Sequence, residues 1–440
     1  MRKVLLGALA GHTIEWYDFG LYGLLAVHMG ERFFPSGDPV ASNLSAFAVF
    51  GVAFVARPLG GAILGPIGDR LGRRTALVVS LVVMAFSTAL VGVLPSYGAI
   101  GIWAPIVLVL VRLLSGMSAG GETPSAYAYV SEYAPARRRA LFTSLLSGGS
   151  AVGALLGTLV VFVIQLSMPG DVFQSWGWRI PFLIALPLGA MGLYIRWRIE
   201  ESPVFTELRA AGNVSRSPLR ESLTRDWRML LQAIGIAAVI FVSYFVLLSY
   251  LPSYLAGLGL TPRTVSTINI VTVVSTLVFF PLVGVLADVI GKKTVLVGAA
   301  IYLVVLSWPI FWLLSTANIA LVLAGAALLA FGVSAVAGPG PVFVSELASI
   351  RTRVSSFALG YNLGGTVFGG PALYVSGFLV AATGDTRSPA YFIVVAAVIS
   401  VIAILTTRAR DAAPDGAEIR LPEDSEPVPR VAPDIPRFDS

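Results

Sequence analysis

Five charged side chains interrupt stretches of chain that are otherwise apolar: Glu15 and Asp18 in the first, Arg57 in the second, Arg112 and Glu122 in the fourth. At a bilayer centre each costs about 2.5–3.5 kcal/mol, together roughly 12–17 kcal/mol, so they are expected to face a protein interior. Two kinds of chemistry suit such groups. A carboxyl in a low-dielectric cavity has its pKa raised and can carry a proton; a buried guanidinium can hold the carboxylate of a bound molecule. Three acids against two arginines leave one excess negative charge. One carboxyl is therefore expected to titrate, with Asp18, Glu15 and Glu122 as candidates for proton coupling and Arg57 and Arg112 as the substrate's partners. The competing reading is a set of ion pairs that only lock helices together.

At 100° per residue, His12, Glu15, Asp18 and Tyr22 fall on one stripe of the first helix. In the fourth, Arg112, Ser115, Gly116, Ala119 and Thr123 share a side, and Glu122 lies at its margin, about 15 Å further along. Ser243, Tyr250 and Tyr254 form a narrow stripe in the seventh beside Pro252, and Tyr361 and Asn362 lie in the eleventh. Tyr22, these three hydroxyl residues, Tyr361 and Asn362 complete the candidate substrate site. For the aromatic ones the alternative is interfacial packing, and for Asn362 a hydrogen bond between helices. His12 can relay protons, although a lone histidine near a helix end is more commonly structural. Runs such as Gly60-Gly61, Gly148-Gly149 and Gly364-Gly365 read as close helix contacts, because no Gly-Lys-Ser/Thr follows them to make a phosphate loop.

The elements that must position these residues are membrane helices. Charged residues are 12% of the chain and apolar ones 56%, against roughly 25% and 45–50% in soluble proteins. Segments of about 20 apolar residues, enough to cross the hydrocarbon core, recur from Val4 to Thr407. The reading is twelve helices, near 4–29, 44–68, 74–95, 103–131, 140–166, 177–198, 228–256, 264–287, 293–315, 317–345, 355–381 and 389–408. Basic clusters alternate with them so that both termini fall on the cytoplasmic side of a multi-pass cell-membrane protein. The first helix is expected to be retained rather than cleaved, since it carries Glu15 and Asp18 and no convincing small-residue cleavage site. The chain has no cysteine, so thiol chemistry is excluded. The net charge of +6 is distributed among the spans rather than gathered on one soluble face, and nucleic acid is not an expected partner.

The chain also repeats. Val130-Ser-Glu132-x-Ala134-x-x-Arg137-x-Arg139 returns 214 positions later as Val344-Ser-Glu346-x-Ala348-x-x-Arg351-x-Arg353. Gly65-x-x-x-Asp69-Arg70-x-Gly72-Arg73-Arg74 is echoed after 219 positions by Gly284-x-x-x-Asp288-Val289-x-Gly291-Lys292-Lys293. Parallel halves related about the membrane normal are a plan of secondary transporters. The expected organisation is a six-helix bundle over 1–200, a cytoplasmic linker over 201–227, a second bundle over 228–408 and a disordered, Pro-rich acidic tail over 409–440. That tail lacks sustained apolar heptads.

These motifs resemble the major facilitator superfamily, and within it the metabolite:proton symporter group of proline/betaine, α-ketoglutarate, citrate and shikimate carriers. Gly65 to Arg74 and Arg112-x-x-x-Gly116-x-x-x-Gly120 are similar to superfamily signatures. The group resemblance rests on Ile14-Glu15-Trp16-Tyr17-Asp18-Phe19, Arg57-Pro58-Leu59-Gly60-Gly61, Gly120-Gly121-Glu122, Trp178-Arg179-Ile180-Pro181-Phe182 and Glu201-Ser202-Pro203-x-Phe205. The resemblance implies an all-α fold of two six-helix bundles related by a pseudo-two-fold axis, alternating access about a central site, and a proton gradient as energy source without a cofactor. It further implies a monomer whose partners are a small molecule, the proton and the bilayer. Asp69, Arg70 and Arg73, with Asp288, Glu132, Arg137, Glu346 and Arg351, are implied as a conformational latch. An acid there can bond the N-terminal amides of a helix in the other bundle. Val289, in place of Arg70, implies an asymmetric latch.

The first functional expectation is import of a small carboxylate-bearing metabolite. The alternatives are a zwitterionic osmolyte of the proline/betaine type, for which Trp16, Tyr17, Phe19 and the seventh helix offer an aromatic cage, or proton-coupled export. An enzyme would need a nucleophile and base or a metal set, and two histidines without cysteine offer none.

Overall fold

In lipid every backbone N–H and C=O must be satisfied within its own segment, so apolar runs of this length fold as helices. The computed structural model describes residues 1–35, 39–197, 200–210, 218–316, 318–349 and 352–407. Arg351 and the tail from 408 onward lie outside them, as do the expectations placed there. Among the described residues, eleven helices are long and apolar enough to cross a membrane. The twelfth span is the first helix, whose polar stripe lowers its mean hydropathy.

The first bundle consists of α1 (Arg2–Leu24), α2 (Pro39–Arg70), α3 (Arg73–Val93), α4 (Trp103–Tyr133), α5 (Arg139–Ser167) and α6 (Arg179–Trp197). The second consists of α7 (Trp227–Gly257), α8 (Pro262–Ile290), α9 (Lys292–Leu314), α10 (Ile319–Leu347), α11 (Arg353–Thr383) and α12 (Pro389–Thr406). The chain thus folds as an all-α membrane protein of two six-helix bundles. Several spans are interrupted. A turn at Leu25 separates α1 from the short helix Ala26–Phe33, and π-helical turns occupy Val246–Tyr250 in α7 and Gly365–Gly369 in α11. Such turns add a residue to the helical count and frequently mark functional positions.

Glycines set the spacing of α2 and α4. A Cβ on Gly60 would overlap the carbonyl of Met117, one on Gly116 that of Ala53, and one on Gly120 that of Arg57. The backbones touch directly, which only glycine permits. Between the bundles, α2 lies along α11 and α5 along α8. The α2–α11 contact runs from Gly65 against Ser355 at the basic end to Gly51 against Gly370 at the opposite end. The linker supplies two short helices, Pro203–Ala210 and Pro218–Arg225.

Candidate functional site

All five intramembrane charges point inward, and each is paired. Arg57 donates to Glu15 at 3.0 Å, with both side chains buried; Thr123 donates to the same carboxylate at 2.9 Å. Arg112 donates to Asp18 at 2.7 Å, and Ser115 to the same oxygen at 2.8 Å. Glu122 is held by Arg196 and by the hydroxyl of Ser80. Arg196 also donates to backbone carbonyls of Gly7 and Leu77, so a single fully buried side chain ties α1, α3, α4 and α6.

This third arginine corrects the charge count made on the sequence. The sequence places Arg196 near the end of the sixth span, 177–198, where it reads with the cytoplasmic-side arginines that run on to Arg228. In the structure it occupies the last turn of α6 and turns inward to Glu122. Three acids meet three arginines, and the excess negative charge that required a titrating carboxyl does not exist in this conformation. The legible signal was its place one residue before Trp197, still within the apolar run.

Phe19 separates two of the pairs. The guanidinium of Arg57 lies 4.7 Å from its ring centroid and that of Arg112 lies 5.4 Å away. On the Arg57 side is the central cavity, about 20 Å³ in volume, walled by His12, Trp16, Tyr127, Phe241, Tyr244 and Tyr361 with Arg57 and Thr123. That is room for about one water, so the bundles are shut around it. Trp16 packs against Tyr244 at 4.5 Å between centroids, and Phe241 against Tyr361 at 4.7 Å. Arg57 is the arginine of this wall, and its Nε has no hydrogen-bond partner.

Several residues expected at the substrate site lie elsewhere. Arg112 is sealed against Asp18, with its guanidinium over Tyr22, whose hydroxyl donates to Ala46 O. Ser243 donates back to Val239 O in its own helix. Tyr250 and Tyr254 pack on each other, with Tyr254 also against Phe311, beyond the cavity wall. The α7 stripe was counted at a uniform helical period. The residues that face the cavity are Ile240, Phe241 and Tyr244, and the π-turn from Val246 shifts the register beyond them. Asn362 donates across the bundle interface to Gly120 O at 2.6 Å, while its neighbour Tyr361 lines the cavity. Tyr127, Ser147, Ser150 and Tyr244 were not anticipated. They join α4, α5 and α7 through Tyr127–Ser147 and Tyr244–Ser150 hydrogen bonds, a meeting that sequence spacing cannot show.

At the basic end, Asp69 accepts from the backbone N–H and hydroxyl of Ser355, at 3.0 and 2.7 Å, in the first turn of α11. Asp288 accepts from Ala140 N and Leu141 N, both at 2.9 Å, in the first turn of α5. Each bundle therefore places one carboxylate on a helix N-terminus of the other, where the helix dipole favours it. Arg70 and Val289 both sit exposed at the helix ends. Arg73 lies 3.3 Å from Asp69 and 3.4 Å from Glu132. Lys292 and Arg139 lie 2.5 and 4.0 Å from Glu346, and Arg137 is exposed in a 3-10 turn. Glu201 caps α3 by accepting from Arg73 N at 2.9 Å, Ser202 donates to Glu132, and Phe205 lies under the Arg73 guanidinium.

Each acid–helix contact is worth up to about 2 kcal/mol, and each 1.4 kcal/mol is tenfold in an equilibrium. The Asp69→Ala/Asp288→Ala double variant is expected to shift the bundles toward a state open at the basic end by up to about a thousandfold. Spin labels on single cysteines, introduced at the ends of α2 and α11 into this cysteine-free chain, report it as a longer distance. An unchanged distance distribution removes the latch role.

The Major Facilitator Superfamily profile matches residues 8–370. The chain belongs to that superfamily. Within it, the chain is 37% identical over 415 residues to a proline/betaine transporter of Salmonella typhimurium, covering 91% of this chain and 82% of the relative. It is 36% identical to a glycine betaine/proline/ectoine/pipecolic acid transporter of Dickeya dadantii, with 91% and 82% covered. An ectoine/proline transporter of Corynebacterium glutamicum is 35% identical, with 92% and 83% covered. Among solved structures, a proton:xylose symporter superposes with a TM-score of 0.74 at 19% identity, over 92% of this chain and 94% of its own; that likeness concerns the fold. The superfamily member described here is a multi-pass membrane transporter, not an enzyme.

Proposed function

We propose that this transporter imports a zwitterionic osmolyte of the proline/betaine type together with protons, by alternating access in the cytoplasmic membrane. The observation that carries the reading is the Glu15–Arg57 pair set against an aromatic wall. One guanidinium suits one carboxylate. The faces of Trp16, Phe241, Tyr244 and Tyr361 suit an ammonium, including a quaternary one that cannot donate a hydrogen bond. A di- or tricarboxylate would bring further negative charge to a cavity whose wall has one arginine. The names of the relatives point the same way, and support moves from the carboxylate-metabolite expectation to the zwitterion alternative.

In this reading the carboxylate of the substrate meets Arg57, and the ammonium rests against Trp16 and Tyr244. Tyr361 approaches from α11, so closing the bundles completes the cage. Asp69 and Asp288 hold the cytoplasmic ends together while the opposite side loads. Glu122 and Arg196 stabilise the first bundle rather than couple protons, and Ser243, Tyr250, Tyr254 and Arg112 act at a distance from the substrate.

Counterflow in proteoliposomes with labelled proline, glycine betaine, ectoine, α-ketoglutarate, citrate and shikimate tests the class. Exchange of the zwitterions with protonophore-sensitive accumulation is expected; exchange of a dicarboxylate alone overturns the reading. Trp16→Leu keeps apolar bulk and removes the π face, a contribution of about 0.5–2 kcal/mol. The expected result is about a two- to thirtyfold rise in KM for glycine betaine and a smaller rise for proline, whose ammonium also donates hydrogen bonds. Equal rises for both, measured in uptake competition, would speak against the cage.

A further inference from the structure

We infer that His12 takes up the transported proton, as the replacement counter-charge for Glu15 when the substrate's carboxylate engages Arg57. The inference rests on the proposed role of Arg57. It begins from charge balance: with Arg196 included, Glu15, Asp18 and Glu122 all have arginine partners, and the resting site has no need of a proton. The need arises only when binding redistributes those partners.

Two pairs are removed from that event. Asp18–Arg112 lies behind Phe19, and Glu122–Arg196 is bound into the first bundle. The third is at the cavity. Among the described residues, Glu15 meets Arg57 at 3.0 Å, the Thr123 hydroxyl at 2.9 Å, and His12, whose Nδ1 is 3.7 Å from Oε2. If Arg57 turns to a carboxylate in the cavity, Glu15 keeps a hydroxyl and an imidazole. Of these, only the imidazole can become a cation. Its Nδ1 is buried without a hydrogen-bond partner, and the ring is held edge-on by Trp16 and Tyr127, with centroids 6.1 and 5.8 Å away. The ring also lines the cavity, so a proton can reach it from whichever side is open.

The groups facing His12 from other helices fit this role. Arg57 of α2 is the cation of the cavity wall and is paired with Glu15. Thr123 and Tyr127 of α4, Ser150 of α5, Tyr244 of α7 and Tyr361 of α11 are neutral hydrogen-bonding groups. The Glu122–Arg196 pair beside Gly11 is internally compensated. Proton and substrate consequently favour each other's binding. A proton alone sets His12 as a second cation beside Arg57, and a substrate alone strands the Glu15 carboxylate. Such reciprocity is a coupling free energy between two sites.

The step balances. One proton from the outer solution adds to an imidazole nitrogen lone pair, with no other covalent bond made or broken. When the substrate leaves on the inner side, Arg57 returns to Glu15 and the same proton is released. For a zwitterion, one positive charge crosses per cycle.

The test uses the full chain in proteoliposomes loaded with a pH-sensitive dye, with labelled glycine betaine and proline as probes. In the wild type, substrate addition acidifies the lumen. In His12→Gln substrate binding strands the Glu15 carboxylate, so counterflow is expected to slow, substrate-driven proton entry to fall more than about tenfold and proton-driven accumulation to fall to equilibration. His12→Gln/Glu15→Gln, with no carboxylate to strand, should recover counterflow without proton entry. Betaine affinity should weaken with rising pH in the wild type and lose that dependence in His12→Gln. Glu15→Gln, which needs no replacement cation, should bind betaine independently of pH. Wild-type proton entry and accumulation in His12→Gln overturn the inference. So does a folded, monodisperse His12→Gln/Glu15→Gln that binds neither probe, because with no carboxylate left to strand His12 would then be a substrate contact. A wild type that exchanges neither probe instead overturns the proposed function.

Discussion

Replacing Arg57 by Gln is expected to abolish accumulation and to lower counterflow at least about a hundredfold. The substitution removes the guanidinium facing the cavity and leaves Glu15, fully buried, without its 3.0 Å partner. Removing one member of a buried pair costs about 3–5 kcal/mol, because the remaining charge is uncompensated. A fall in thermal stability is therefore expected along with the loss of transport, and a second variant separates the two. Glu15→Gln/Arg57→Gln leaves no buried charge at the position, so it should recover most of the stability while still failing to exchange substrate. Arg57→Lys keeps the charge but not the planar fork, and should retain stability with exchange reduced at least about tenfold. Counterflow by the double glutamine variant at wild-type rates would show that Arg57 serves only to lock helices.

The second large effect falls on a residue with no side chain. Gly116→Val is expected to yield no monodisperse protein, because its Cβ would overlap the Ala53 carbonyl at the α2–α4 seam. The obstacle is backbone in a helix that carries Arg57 four residues later, so relief requires moving the site itself. Overpacking typically costs about 1–3 kcal/mol where side chains can yield, and more is expected where they cannot. Gly98→Ala serves as the control, since nothing lies within 4 Å of its Cβ. Size-exclusion profiles and thermal unfolding in detergent should separate the two variants clearly. A folded Gly116→Val would mean that α2 and α4 can separate without losing the bundle.

These two cases show how differently the parts of the site were legible. Glu15, Asp18, Arg57, Arg112 and Glu122 stood out because a charge in an apolar run carries its own explanation: it has to face protein. Their pairing was not legible, because Glu15 meets Arg57 from another helix and spacing within one helix does not report distance to the next. Arg196 illustrates the same limit. Its position at a helix end fitted the topological rule for basic residues, and only the approach of α3 and α4 to α6 makes it a buried partner. The α7 stripe failed because the cavity is met by the face carrying Ile240, Phe241 and Tyr244, while Ser243, ahead of the π-turn, already bonds back to its own helix.

The sequence by itself determined the class of molecule, the repeated halves and the inward-facing charges. Each follows from a one-dimensional quantity: the length of an apolar run, the recurrence of a motif, or the cost of a charge in lipid. The α2–α4 glycine contact, the third ion pair, the aromatic wall and the contacts of Asp69 and Asp288 with helix N-termini of the other bundle were decided by tertiary structure. They depend on which helix faces which, at what depth and in what register, and those relations are set by the simultaneous packing of twelve helices rather than by any one of them.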